Sequence, residues 1–320
     1  MKKYCPKIAA HRQVLPQIAH GLSRKLYPKL ARTKITSILT ERNHSNALTV
    51  LAKWFLKESG KHLRNLTRRE AQQYLIKRSY EVRQKTLDLD RQVINMHFCF
   101  GSKMDYVVSH VLTPHENRAY SALQIGYLLS VAPPDLRLSI ELALDAGLRS
   151  MELITLGKMT DRLPSDRSWH PNKFDGRESD LPYSTFGKGG LGREIRLSPA
   201  LAQVLITLQR PEPVTVSHCG AHQKSFFKLL GGNAFCRKFS RLSKKHLGFS
   251  HGAHGLRYMF AQKRFIDLIC VAHPPGEALK ILAQEMGHFS INNTLVYLHK
   301  RFDADGRIVP VQDISTLNKT

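Results

Sequence analysis

The chain has 320 residues, a formal net charge of +24, a pI near 10.1 and 42% hydrophobic residues. That length accommodates two ordinary domains, and the apolar content excludes an intrinsically disordered chain. A positive field of this size draws polyanions, nucleic acid first among them, although charge alone leaves a ribosomal or anionic-membrane partner open.

The basic excess is uneven, with a net +15 in residues 1–120 and +9 in the remainder. The opening Met1-Lys-Lys-Tyr-Cys5 is followed by no continuous apolar core, and no run of about 18 apolar residues occurs anywhere. Together these predict a cytoplasmic protein without signal peptide or membrane span. Residues 1–44 are basic and mixed, with Ile8, Val14, Leu15, Ile18 and Leu22 available to line one or two short helices. From Asn46 the pattern sharpens, since Leu48, Leu51, Trp54 and Phe55 recur at helical spacing up to Gly60. Thr67-Arg-Arg-Glu70 reads as a capping box opening a second helix through Tyr74, Leu75 and Ile76. A third helical stretch is predicted over 79–98, and 101–116 reads as a linker. Three helices with many cations outside would make a small bundle that clasps DNA, with a solvated charged surface as the alternative.

Helical spacing resumes at Asn117 with Leu123, Tyr127, Leu128 and Val131, and Pro133-Pro134 breaks it. Leu136 to Ala146 is an apolar helix stopped at Gly147, Arg149 follows at once, and 150–156 is a short helix carrying Glu152. Residues 160–182 are polar and read as an irregular loop or a weak strand pair. Alternation over 183–186 and 194–197, with glycines between, predicts a β-hairpin. Helices are predicted over 199–208, 224–247, 255–269 and 277–286.

Five scattered cysteines (Cys5, Cys99, Cys219, Cys236, Cys270) point to reduced thiols and not to a disulfide framework. His218, Cys219, His222 and Cys236 match the spacing of no regular zinc finger or ribbon, so no metal is assigned. Gly187-Lys-Gly-Gly-Leu-Gly192 formally satisfies Gly-x-Gly-x-x-Gly, but a strand and not a helix follows it, so the phosphate-binding reading lapses and no nucleotide cofactor is expected. The glycines instead make a hairpin tip that presents Lys188.

The chemistry converges near the C-terminus. Tyr297 stands nine residues after Gly287-His288, and a phenol titrating near about pH 10 needs help to act as a nucleophile. His254 and Arg257 lie one turn apart on one helix face. Two guanidiniums, Arg149 and Arg257, can fork onto the non-bridging oxygens of one phosphate. Lys188, His254 and His288 can move protons.

In order and spacing these stretches resemble the tyrosine recombinase, or phage integrase, family. The resemblance rests on Ala146-Gly-Leu-Arg-Ser-Met-Glu-Leu153, Thr185-Phe-Gly-Lys188, His254-Gly-Leu-Arg-Tyr-Met-Phe-Ala261, Met286-Gly-His288 and Thr294-Leu-Val-Tyr297. Met286 replaces a usual leucine, Tyr258 a frequent histidine, and 267–277, with Pro274-Pro275, is longer than in compact members. The resemblance implies a mainly α fold with a small antiparallel sheet (α+β). Its parts would be a helical core-binding domain (45–112) and a catalytic domain (113–302); outside the resemblance stand a basic segment (1–44), to which the sequence assigns no role, and a C-terminal tail (303–320). It implies Tyr297 as nucleophile giving a 3′-phosphotyrosine, and Arg149 and Arg257 as the phosphate clamp. Lys188 would be general acid, His254 and His288 would assist, and Glu152 would orient Arg149. The partner would be double-stranded DNA, engaged by a homotetramer on two sites, with an accessory DNA-bending protein left open and neither cofactor nor metal required. A non-catalytic DNA-binding protein and a type IB topoisomerase are the alternatives on the same residues.

Overall fold

A computed structural model describes residues 4–20, 33–112, 117–187, 190–218, 221–298, 300–302 and 308–310. The chain divides into two compact units, one of Met1–Pro114 with Cys219–Ala221 and a second built from His115–His218 and His222–Thr320.

The first unit is helical. Helix α1 (Pro6–Val14) begins with proline at its first position, where the missing N–H costs nothing. It packs on α2 (Ile38–Ser59), whose Ser37 hydroxyl accepts the Thr40 N–H and which ends at Gly60. Helix α3 (Arg68–Arg78) opens on the predicted capping box, with Glu70 accepting the Thr67 N–H at 2.9 Å. Helix α4 (Gln84–His97) starts later than the spacing predicts, because 79–83 is a turn whose Ser79 carbonyl accepts the His110 N–H. Ala10, Val14 and Ile35 are buried with Leu48, Leu51, Phe55 and Tyr74 in one core. Pro6–Val14 is therefore part of this unit's packing, and α2 begins before residue 45. The stretch read as a linker also belongs here, with Met104 in the same core.

The second unit begins with α5 (Ala122–Val131), opened by a Ser121/Gln124 capping box; residues 117–120, predicted helical, precede it as irregular chain. Helix α6 (Pro134–Asp145) follows, then the Gly147 turn and α7 (Ser150–Ile154). Gly147 has φ +58°, and a Cβ there would lie 2.4 Å from the Phe260 ring, so both backbone and space demand glycine. The sheet is antiparallel in the order β1–β2–β3, from β1 (Gly157–Lys158), β2 (Leu181–Phe186) and β3 (Gly192–Leu197), with Thr185 opposite Arg193. Between β1 and β2, residues 159–180 form a turn-rich strap. It is pinned by Ser165 N–H to Gly192 O at 2.9 Å, by Lys173 Nζ to Glu194 O at 3.0 Å, and by Trp169 against Phe289.

Helix α8 (Pro199–Thr207) leads into a hairpin of β4 (Gln209–His218) and β5 (Ala221–Phe227). This corrects the prediction of helix from residue 224, which begins only at α9 (Gly232–Leu247). Phe226-Phe227 and the apolar residues after them mimic helical spacing, but in strand geometry they are successive positions, Phe227 buried and Phe226 partly so. Helices α10 (His254–Cys270), α11 (Pro275–Glu285) and α12 (Asn292–Leu298) complete the unit, and β6 (Lys300–Phe302) pairs with β7 (Ile308–Pro310). The rest of the predicted tail lies outside the described residues. No described helix is long and apolar enough to cross a membrane.

Candidate active site

Arg149 is the N-cap of α7, and Glu152 one turn on accepts its backbone N–H at 2.9 Å and its Nη1 at 2.7 Å. A carboxylate at the third helical position suits both the exposed N–H groups and the positive end of the dipole. Glu152 is fully buried and meets two further arginines: Arg193 Nη2 donates at 2.8 Å, and Arg257 Nη1 stands 3.9 Å away. Burial alone would raise the Glu152 carboxyl, but Arg193, Arg257 and Arg149 outweigh it and hold the group ionised far below the usual carboxylate range.

Arg257, on the first turn of α10, is 0% exposed. Its Nη1 donates to the Gly147 carbonyl and its Nη2 to the Met286 carbonyl, so the glycine turn before Arg149 and the turn before His288 are both tied to it. Burial, then the neighbouring Arg149, pushes its guanidinium down to about 10, which leaves it charged at neutral pH.

His288 follows Gly287, which has φ +70° and would bring a Cβ to 2.9 Å from Arg193 Cδ. His288 Nε2 receives Arg149 Nη2 at 3.0 Å and Arg257 Nη2 at 3.3 Å, while Nδ1 lies 2.9 Å from the Thr294 hydroxyl. Two donors on Nε2 assign the proton to Nδ1 and a neutral ring. Burial and the flanking Arg257 and Arg149 agree, pushing the imidazole down to about 3.

Tyr297, on α12, is 7% exposed, and its hydroxyl lies 3.1 Å from His254 Nε2. Its ring sits 5.8 Å from that of His288 and 4.5 Å from that of Tyr258. Gln262 on α10 donates to the Tyr297 carbonyl at 2.9 Å, fastening α12 where the phenol meets its own chain's cluster. His254 is exposed by its surface area, yet crowding by protein atoms and the charges of Arg257, Arg118 and Arg149 push its imidazole down to about 4.

The structure thus brings together Arg149, Glu152, His254, Arg257, His288 and Tyr297, while Lys188 lies outside the described residues. The hairpin that carries Lys188 is moored to α7, since Thr185 Oγ1 donates to the Glu152 carbonyl at 2.9 Å and Thr155 Oγ1 accepts the Phe186 N–H at 3.2 Å. Sequence reasoning passed over Arg193, which stood only at the start of an alternating strand and in no motif, and gave Thr294 no role beyond spacing.

No protein-family model and no curated protein sequence matches the chain. Solved structures do. A lambda integrase dimer bound to a COC′ core site superimposes with a TM-score of 0.56 at 17% identity, over 98% of this chain and 85% of that one. The XerH site-specific recombinase bound to difH substrate gives 0.53 at 15% identity, over 95% of each chain. A lambda integrase tetramer bound to a Holliday junction gives 0.54 at 17% identity, over 91% of this chain and 79% of that one.

The chain has the tyrosine-recombinase fold. The expected mainly α architecture with a small antiparallel sheet is borne out. Within this tyrosine-recombinase fold, the motif-bearing turns after α6, before α10 and after α11 all face one cluster.

Proposed function

We propose that the chain is a site-specific DNA recombinase or integrase that cuts and rejoins double-stranded DNA through a 3′-phosphotyrosine at Tyr297. The observation that carries this reading is the Tyr297 hydroxyl, 3.1 Å from a neutral His254, beside two arginines whose guanidiniums meet at His288. A phosphate entering there would take N–H groups from Arg149 and Arg257 on its non-bridging oxygens, and neutralisation there grows as charge builds in the transition state. Burial and the charges of Arg257, Arg118 and Arg149 hold His254 down; the same negative charge offsets the arginines' share, making its Nε2 a better base as the phenol gives up its proton. The phenolate oxygen bonds to phosphorus as the bond to the 5′-oxygen breaks, and Lys188 supplies the proton that oxygen needs. One phosphoester replaces another, so rejoining requires no ATP.

The first unit, with its basic excess, serves as a core-binding module. On α9, Arg237, Arg241, Lys244 and Lys245 are exposed opposite buried Phe235 and Phe239, a further cationic face for the duplex. By analogy with the lambda integrase tetramer, four protomers act on two sites, in the cell's nucleoid, with a DNA-bending partner as an optional addition. The test is covalent capture: the chain is incubated with nicked duplexes randomised around the nick, and complexes that survive detergent are recovered. The intact chain is expected to give an enriched sequence, while Tyr297→Phe binds the same duplex and gives no adduct. Equal adduct yield from Tyr297→Phe sinks the assignment. Binding without adduct from the intact chain would favour a non-catalytic DNA-binding protein.

A further inference from the structure

Arg193 is 1% exposed on β3, and three separate pieces of the cluster touch it. Its Nη2 donates to Glu152 Oε2 at 2.8 Å, its Nη1 donates to the Glu285 carbonyl at the end of α11, and its Cδ lies directly beneath Gly287. Glu152 in turn grips Arg149, and Gly287 leads into His288.

Stability alone does not account for this side chain. Burying an ion pair seldom improves on apolar packing of the same volume. Glu152 already faces Arg149 and Arg257, so a third cation is not needed for neutrality. It adds repulsion, since its charge helps to lower both Arg257 and His288. What a guanidinium offers here is a rigid fork that spans two acceptors on two different elements.

We propose that Arg193 is a positioning residue for strand cleavage, fixing Arg149 through Glu152 and His288 through the Glu285–Gly287 turn so that both meet on one phosphate. The proposal rests on the recombinase reading above. Neither contact touches DNA, so the effect belongs to the rate of the chemical step and not to affinity.

The test compares the intact chain with Arg193→Lys and Arg193→Met on a nicked duplex of the sequence enriched by covalent capture. A second substrate is the same duplex with a methylphosphonate at the scissile position, where a neutral methyl replaces one charged oxygen and less neutralisation is asked of the clamp. The variants are expected to bind the duplex with unchanged Kd and to form adduct about 100-fold more slowly, the scale of loss when reacting groups shift by about 1 Å. Most of that deficit should vanish on the methylphosphonate. A rate within about threefold of the intact chain on the ordinary duplex overturns the proposal. An equal deficit on both substrates also overturns it, because a merely structural role would not distinguish them. Arg193→Lys, which keeps the charge and loses the fork, decides the matter if Arg193→Met does not fold. Absence of adduct from the intact chain would instead remove the recombinase reading, and this proposal with it.

Discussion

At the scale of single residues, the protein keeps several histidines neutral that would ordinarily share a proton near neutrality. His288 is held down to about 3 and His254 to about 4 beside the arginines. In the other unit His97, 7% exposed and 3.0 Å from His44, is pushed down to about 4 by burial and by that neighbour. Each of these folded-state values lies below the unfolded one. Above about pH 6.5 both states are neutral and the groups contribute nothing; as pH falls below it, the unfolded chain takes up protons that the folded chain refuses. Stability is therefore lost between about pH 6.5 and pH 3, and His97 alone should cost on the order of 2 kcal/mol at pH 5. The urea midpoint should drop between pH 7 and pH 5, and His97→Gln should flatten the slope; a midpoint that does not move contradicts the assignment.

Elements differ in how much of them local pattern reveals. The helices before Gly147 and from Arg68 to Arg78 were legible because their ends are written in adjacent residues, a glycine stop in one and the Thr67/Glu70 box in the other. The β2–β3 hairpin was legible from alternation around glycines. The β4–β5 hairpin was not, since its exposed residues 211–215 carry no buried-face alternation and Phe226-Phe227 fits either period. The place of α1 in the first core was equally hidden, because Ala10 and Val14 are too sparse a stripe to announce a partner. In the site, Arg149, His254, Arg257, His288 and Tyr297 could be found because each sits in a short motif. Arg193 could not, because its significance comes from Glu152, Glu285 and Gly287, which are distant in sequence. The strap over 159–180 was legible only as an irregular polar stretch; its purpose comes from contacts with Gly192, Glu194 and Phe289, which are distant in sequence.

For the whole molecule, the net charge of +24 sets how binding answers to salt. If the basic faces neutralise about six to ten phosphates, release of condensed counterions should weaken DNA binding at least about a thousandfold between 50 and 200 mM monovalent salt. Fluorescence anisotropy with a labelled duplex measures this, and a change of less than about tenfold would refute charge-driven binding.

Three arginines share the single carboxylate of Glu152, so the interior holds two more positive charges than negative ones there, and Arg149 opens that surplus to the surface at 26% exposure. A small tetrahedral anion held there would be coupled to folding by mass action, with no nucleic acid involved. An anion that binds only the folded form at about a hundred times its Kd raises stability by about 2.7 kcal/mol. At constant ionic strength, sulfate replacing chloride should raise the melting temperature of the intact chain, and Arg149→Ala should abolish most of the gain. On the recombinase reading proposed above, the surplus that would receive a phosphodiester thus makes the protein's own thermal stability an assay of the site.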